Sequence, residues 1–177
     1  MDDISEQIGE RQVQINIWED KDLELLFKIN APEMMEHLGG AETKEQILKR
    51  QKRYLELGEK GKMFSITQSP DFEAVGSVGY WQTTWNDESV YEIGWSVLPQ
   101  FQGKGIATLA VKLAINEAIK EKKYKYIHAF PSVENPASNA ICRKLNFSFI
   151  SDCEFEYPPG NLMHCNNWRF TINTNKN

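Results

Sequence analysis

Cysteine and histidine are scarce in this chain. The three cysteines, Cys142, Cys153 and Cys165, are odd in number and lack the close pairing of a zinc site, so free thiols in a reducing compartment are expected. The three histidines, His37, His128 and His164, are scattered as well, and no metal is expected. Long apolar runs are missing. Nothing approaches the roughly 18 residues needed to cross a bilayer, and the opening MDDISEQIGE is acidic where a signal sequence is basic and then apolar. The expectation is a soluble, cytoplasmic protein with no membrane partner. Excess positive charge is lacking too. A formal net charge of −5 argues against nucleic acid as a partner, which calls for a basic stripe, and mildly favours a cationic ligand.

What is present is enough apolar sequence for one core. With 177 residues, 41% of them hydrophobic, the chain is long enough for one well-buried domain and short for two. A single domain over 1–177 is expected, with residues 1–11 as a flexible N-terminal extension. Repeats, low-complexity blocks and linkers do not occur, and elements alternate throughout. Val13 to Trp18 alternates as a strand, and Asp20 can cap a helix carrying Leu23, Leu26 and Phe27. Thr43-Lys44-Glu45-Gln46 has the form of a capping box, and the helix after it ends near Gly58. Between these helices, Ala31 to Glu42 holds Met34, Met35, His37 and a Gly39-Gly40 pair, a lid candidate. Met63 to Thr67, Ala74 to Thr83 and Ser89 to Leu98 read as strands of an antiparallel meander. A strand at Tyr124 to Phe130, a helix from about Pro136, and strands near Phe147 to Phe155 and Asn167 to Ile172 complete the order.

The most informative stretch is Gln102-Gly103-Lys104-Gly105-Ile106-Ala107. It lies between an apolar strand, Tyr91 to Leu98, and a long helix in which Ile106, Leu109, Ala110, Leu113 and Ala114 recur at helical spacing. A strand feeding a glycine loop that opens a helix leaves unpaired backbone N–H groups converging on one spot, backed by the positive helix end. Gly103 and Gly105 remove side chains that would keep an anion away, and Lys104 adds a positive charge. A phosphate-bearing ligand is the implication. A nucleotide-triphosphate loop needs Lys and then Ser or Thr after its last glycine, and Ile106 follows Gly105. A dinucleotide loop needs Gly or Ala where this chain has Thr108, and an acid after the next strand, where it has His128 and Ala129. Both fail.

What remains resembles the coenzyme A pyrophosphate loop of the GNAT superfamily of N-acetyltransferases, Arg/Gln-x-x-Gly-x-Gly/Ala, matched by Gln102 to Ala107 at every fixed position. Upstream, Glu92-Ile93-Gly94-Trp95-Ser96-Val97-Leu98-Pro99 resembles the family strand that splays from its neighbour and pairs with the pantetheine arm. Downstream, Asn135 to Phe147 resembles the family's Asn-x-x-Ser helix ending in Lys-Leu-Gly-Phe, with Asn146 in place of the glycine, a residue that also enters the left-handed cap. The branch it is most similar to contains ribosomal-protein N-terminal acetyltransferases and some antibiotic-modifying enzymes. The resemblance implies a GNAT-like α/β (α+β) fold: a central mixed, mostly antiparallel, twisted sheet of six to seven strands flanked by about four helices. It implies acetyl-CoA as cofactor, held by Trp95, Ser96, Val97, Gln102, Gly103, Lys104, Gly105, Ile106, Ala107, Thr108, Asn135, Ser138 and Arg143. It also implies direct transfer of the acetyl group to a primary amine of a small molecule or a peptide N-terminus.

That chemistry needs a neutral amine, a place for negative charge on the carbonyl oxygen, and a proton for the departing thiolate. By resemblance, the backbone N–H of Val97 is the oxyanion donor. Glu92, five residues earlier, is the candidate base, working through one or two waters, and a cross-strand ion pair is its structural alternative. His128 competes as a base, with packing and one hydrogen bond as its alternative. The acid is where the chain departs from the family, since Cys142 stands where many relatives carry tyrosine. Cys142 is the candidate donor, against a buried structural thiol. By resemblance Ser138 and Asn135 position the pantetheine arm and the sulfur, with water as the proton source. Tyr157, in the turn ending at Gly160, is a further candidate over the site. Met35, His37, Trp81, Trp85 and Tyr157 are the acceptor candidates, Trp95 and Trp168 being further aromatics of this kind. A non-catalytic acyl-CoA-binding regulatory module is the rival reading, and exposed sheet edges near the C-terminus leave a homodimer open.

Overall fold

One continuous sheet organises the computed structural model, which describes residues 5–8, 11–156 and 160–172. Its strands are β1 (Ser5–Ile8), β2 (Arg11–Ile17), β3 (Gly61–Gln68), β4 (Glu73–Trp85), β5 (Glu88–Val97), β6 (Tyr126–Ala129), β7 (Ser148–Glu156) and β8 (Leu162–Thr171). The helices are α1 (Leu23–Ile29), the single turn α2 (Pro32–Met35), α3 (Lys44–Leu55), α4 (Ile106–Glu121) and α5 (Pro136–Lys144). Strand order is β1-β2-β3-β4-β5-β6-β8-β7. Every neighbouring pair is antiparallel except β5 with β6, which is parallel. The mixed, mostly antiparallel layout expected from the sequence is the one observed. The sheet has eight strands where six to seven were expected. The additional one is β1, in the segment expected as a flexible extension, where Ser5 to Ile8 pair with Gln14 to Arg11.

Local chemistry explains most of the elements. Asn86 and Asp87 both adopt left-handed backbone, at φ 49° and 64°, which gives the β4–β5 hairpin its two-residue turn and sets the register that pairs Trp81 with Glu92. Thr43 caps α3 as its capping box predicts, with Gln46 answering back to the Thr43 N–H. The cap at Asp20 is displaced. A 3-10 turn spans Asp20–Asp22, and it is Asp22 whose carboxylate accepts from the Glu19 N–H, so α1 begins only at Leu23. The last strand begins at Leu162, five residues before the expected Asn167, because pairing with β7 recruits the polar stretch His164 to Asn167 that shows no apolar alternation.

The two faces of the sheet carry different helices. α4 buries Ile106, Ala110, Val111, Leu113 and Ala114 against Val13, Val78, Tyr80, Tyr91 and Ile127, forming the main core. Each fully buried large aliphatic side chain there contributes about 1.5–3 kcal/mol. On the opposite face Leu25, Leu26 and Ile29 of α1 and Ile47 of α3 pack on Trp18 and Met63. Among the described residues, no helix is long and apolar enough to cross a membrane.

Candidate active site

The parallel β5–β6 pair is short, and that creates the site. β6 pairs with β5 only at Tyr91↔Ile127 and Glu92↔His128, whereas β5 runs on to Val97. Leu98 donates to the Val75 carbonyl at 2.8 Å, so in the alternating antiparallel pattern Trp95 and Val97 turn their backbone N–H groups the other way, towards the gap. The chain after β6 bends off through Phe130 to Asn135, and a cleft of about 1,090 Å³ opens between the diverging segments. Glu92, Gly94, Trp95, Ser96, Ser132 and Ser138 are among its lining residues. The Trp95 indole N–H is buried there with no protein acceptor, a donor left over for a ligand.

The glycine loop follows at the end of β5. Gly103 and Gly105 take left-handed backbone, φ 74° and 81°, and Gly105 caps α4 from outside. A Cβ at Gly103 meets nothing within 4 Å, so the space beside the loop is open. The N–H groups of the first turn of α4, including Ile106, Ala107 and Thr108, have no carbonyl one turn earlier and are free to meet an anion. Lys104 is exposed beside them. Gln102 has a more local duty: its amide donates to the Val97 carbonyl at 2.8 Å and approaches Met34 Sδ at 3.7 Å, tying the strand end to the loop and to α2. The diphosphate and pantetheine of coenzyme A fit this combination of open loop, free helix N–H groups and unpaired strand edge.

Glu92 lies part-buried on the floor of the cleft. Burial raises its carboxyl from the ordinary 4.5 to about 7, opposed by a hydrogen bond donated by Trp81. The Trp81 ring lies over Gly94, where a Cβ would stand 3.0 Å from it, so glycine is what lets the indole rest beside the carboxylate. His128 is buried next to Glu92 on β6. Its Nδ1 is 2.7 Å from Asn167 Oδ1, it stacks on Phe130 with centroids 5.7 Å apart, and burial lowers its pKa. This keeps it neutral and away from the cleft wall.

Helix α5 supplies the other wall. Asn135 accepts from the Ser138 N–H at 3.1 Å, so in this pair of the Asn-x-x-Ser motif the asparagine is a helix cap that sets Ser138 on the cleft. Cys142 requires a correction. It is 0% exposed inside the main core, burial pushes its thiol up to about 12, and it does not reach the cleft. The position that resembles the family's tyrosine faces the sheet here. Arg143 also differs from expectation: it is exposed, and its guanidinium sits 5.6 Å over the Trp168 ring instead of lining the cleft. Asn139, which sequence reasoning missed, is the hub of this wall. Its amide donates to the Ser132 and Asn135 carbonyls, and its oxygen accepts from Asn166 and the Trp168 indole. Its signal was a polar residue one turn after the cap, on the helix face otherwise taken by Cys142.

Of the acceptor candidates, Trp81 lines the cleft. Met35 does not. It is 1% exposed and points into the core under α2, and Met34 takes its place at the cleft. Trp85 packs on Phe130 and His128, at 5.2 and 5.8 Å, behind the cleft wall. The side chain of His37 and all of Tyr157 lie outside the described residues. The lid segment is closed at its base by Asn30, which bonds both the N–H and the C=O of Glu42. Cys153 and Cys165 face each other across the β7–β8 pair with Sγ atoms 3.0 Å apart.

A strand parting from its parallel neighbour beside a glycine loop that opens a helix makes a site able to take a ligand with a diphosphate and an extended arm, as an acyltransferase needs. The chain belongs to the GNAT acetyltransferase family, whose model, described as an acetyltransferase (GNAT) domain, matches residues 13–148. Its activity is acetyl-CoA-dependent N-acetyl transfer to an amine. No curated protein matches the chain by sequence. Solved structures share the fold at low identity. The ribosomal-protein-S5-alanine acetyltransferase of Vibrio fischeri is 17% identical, with 99% of this chain and 100% of that one covered at a TM-score of 0.75. A GNAT-family acetyltransferase of Bacillus anthracis is 21% identical, with 95% and 98% covered at 0.73. The spermidine N-acetyltransferase of Vibrio cholerae, solved with CoA and spermine, is 15% identical, with 90% and 95% covered at 0.74.

Proposed function

We propose that Glu92 receives the proton of the acceptor amine and that the Val97 N–H faces the carbonyl oxygen, in a direct transfer without a covalent enzyme intermediate. The observation that carries this is the Glu92 carboxyl, raised to about 7 on the cleft floor at the point where β5 loses its β6 partner. A carboxyl of that pKa is about half ionised at neutral pH and accepts a proton with little driving-force penalty. A backbone donor held on a strand needs no reorganisation as charge develops, and such donors contribute about 3–4 kcal/mol in oxyanion sites.

Acetyl-CoA supplies the activated acetyl group when bound. The first-turn N–H groups of α4 and Lys104 would hold its phosphates, and the β5 edge from Ile93 to Val97 together with the Trp95 indole N–H its pantetheine arm. Ser138, set on the cleft by its bond to Asn135, is the hydroxyl positioned to pass a proton to the departing sulfur, directly or through water. Cys142 has no part in the transfer. The acceptor is a primary amine entering past Met34 and Trp81.

The test is acetyl-CoA turnover, read as free thiol, with a panel of peptide and small-molecule amines. Thiol release should depend on the acceptor, and Glu92→Gln should lower kcat at least tenfold while acetyl-CoA affinity is kept. Coenzyme A affinity without thiol release for any amine would mean a binding module instead.

A further inference from the structure

The acceptor half of the cleft has a charge opposite to that of the chain. Five cations, Lys49, Arg50, Lys52, Arg53 and Lys60, line this half against Glu42, Glu56 and Glu92. Gln46, Lys49, Arg50 and Arg53 follow one another at helical spacing, so α3 turns a single polar stripe to the cleft. Arg50 and Glu42 cancel in a 2.6 Å ion pair. Lys49 is 3.7 Å from Glu45 in a pair exposed on both sides, which contributes little. The wall therefore stays positive in a protein of formal net charge −5, so it is not a reflection of bulk composition.

We propose that the acceptor is the N-terminus of an acidic peptide, with its amine at Glu92 and its carboxylates along α3. This rests on the acetyl-transfer reading above and names its substrate class. The stripe from Gln46 to Arg53 spans seven helical steps, about 10 Å at 1.5 Å each. An extended peptide covers that with about three residues, whereas a single amino acid does not span it. A polycationic amine meets like charge on this wall, so overall acidity, which pointed to a cationic ligand, is overruled by the local field.

The experiment compares hexapeptides with a free N-terminal serine followed by Asp/Glu, by Asn/Gln or by Lys, together with spermine, at low and high salt. Each exposed ion pair is worth about two- to fivefold, so kcat/KM for the acidic peptide should exceed the neutral one by about tenfold. The lysine peptide and spermine should rank lowest, and the gap should shrink in high salt. Lys49→Glu with Arg53→Glu should reverse the order, and Lys49→Gln with Arg53→Gln should level it, with coenzyme A titration reporting that each variant is folded. Equal kcat/KM for acidic and neutral peptides, or an order unchanged in the variants, overturns the inference. Affinity for the coenzyme A-bound protein, read from Trp81 and Trp95 fluorescence, separates it from the reading it rests on. An acidic peptide bound about tenfold tighter yet not acetylated refutes the transfer and keeps the ligand. Equal affinities refute the ligand whatever is acetylated.

Discussion

Replacing Glu92 with glutamine removes one ionisation and little else, since the amide has the same shape and its oxygen can still accept from the Trp81 indole. In the folded protein the carboxyl titrates at about 7, against 4.5 when unperturbed. Below about pH 4.5 both folded and unfolded states hold the proton and Glu92 costs nothing. Between 4.5 and 7 the unfolded chain ionises while the folded one keeps its proton, so stability falls as pH rises, and above 7 the whole cost is in place. At 1.36 kcal/mol per pKa unit that cost is about 3 kcal/mol. Thermal unfolding of both proteins at pH 5 and pH 8 reads it directly. The glutamine variant should gain on the wild type across this interval by about 6–12 °C, given about 2–4 °C per kcal/mol for a chain of this size. The same group should give kcat/KM a rising limb centred near pH 7, absent in the variant. Trp81→Phe should move that limb upwards, because the indole N–H is what holds the pKa down. Parallel stability profiles for the two proteins would refute the burial argument. A normal rate for the glutamine variant at every pH would remove Glu92 from the chemistry.

Gly105→Glu forces a left-handed residue to carry a side chain, at a cost of about 1–2 kcal/mol, and puts a carboxylate where the α4 N–H groups converge. Calorimetry should show at least a tenfold loss of acetyl-CoA affinity, and unchanged affinity would contradict the loop assignment. Cys142→Ala should leave kcat within about twofold and lower stability by about 1 kcal/mol, whereas a tenfold fall in kcat with normal cofactor affinity would restore the thiol as an acid. Asn139→Ala leaves the Trp168 and Asn166 donors without their acceptor and takes one of two donors from the Ser132 carbonyl, which keeps the Asn135 N–H. It should cost about 3 kcal/mol in chemical denaturation and raise KM for acetyl-CoA through the loosened wall. An unaffected KM would confine Asn139 to stability.

Where information sits within a few residues, the sequence was legible. The α3 cap came from Thr43 and Gln46, and the start of α4 from Gly103 and Gly105. Boundaries were less so where pairing overrides local pattern, as at β8, which begins in the polar His164–Asn167 stretch. The site divides in the same way. The glycine loop's backbone and the placing of Glu92 and Ser138 on one cleft were legible, while Met35 was exchanged for Met34 and Cys142 was turned inward, because one residue along a helix moves a side chain by about 100°.

Sequence by itself determined the kind of ligand and the order of elements, since helix periodicity, caps and glycine backbone freedom are properties of short segments. Only the tertiary structure decided which groups are reactive. Carboxyl pKa, thiol access and the charge of the α3 wall arise from what distant segments place around a group, through desolvation and Coulomb fields that no local pattern encodes.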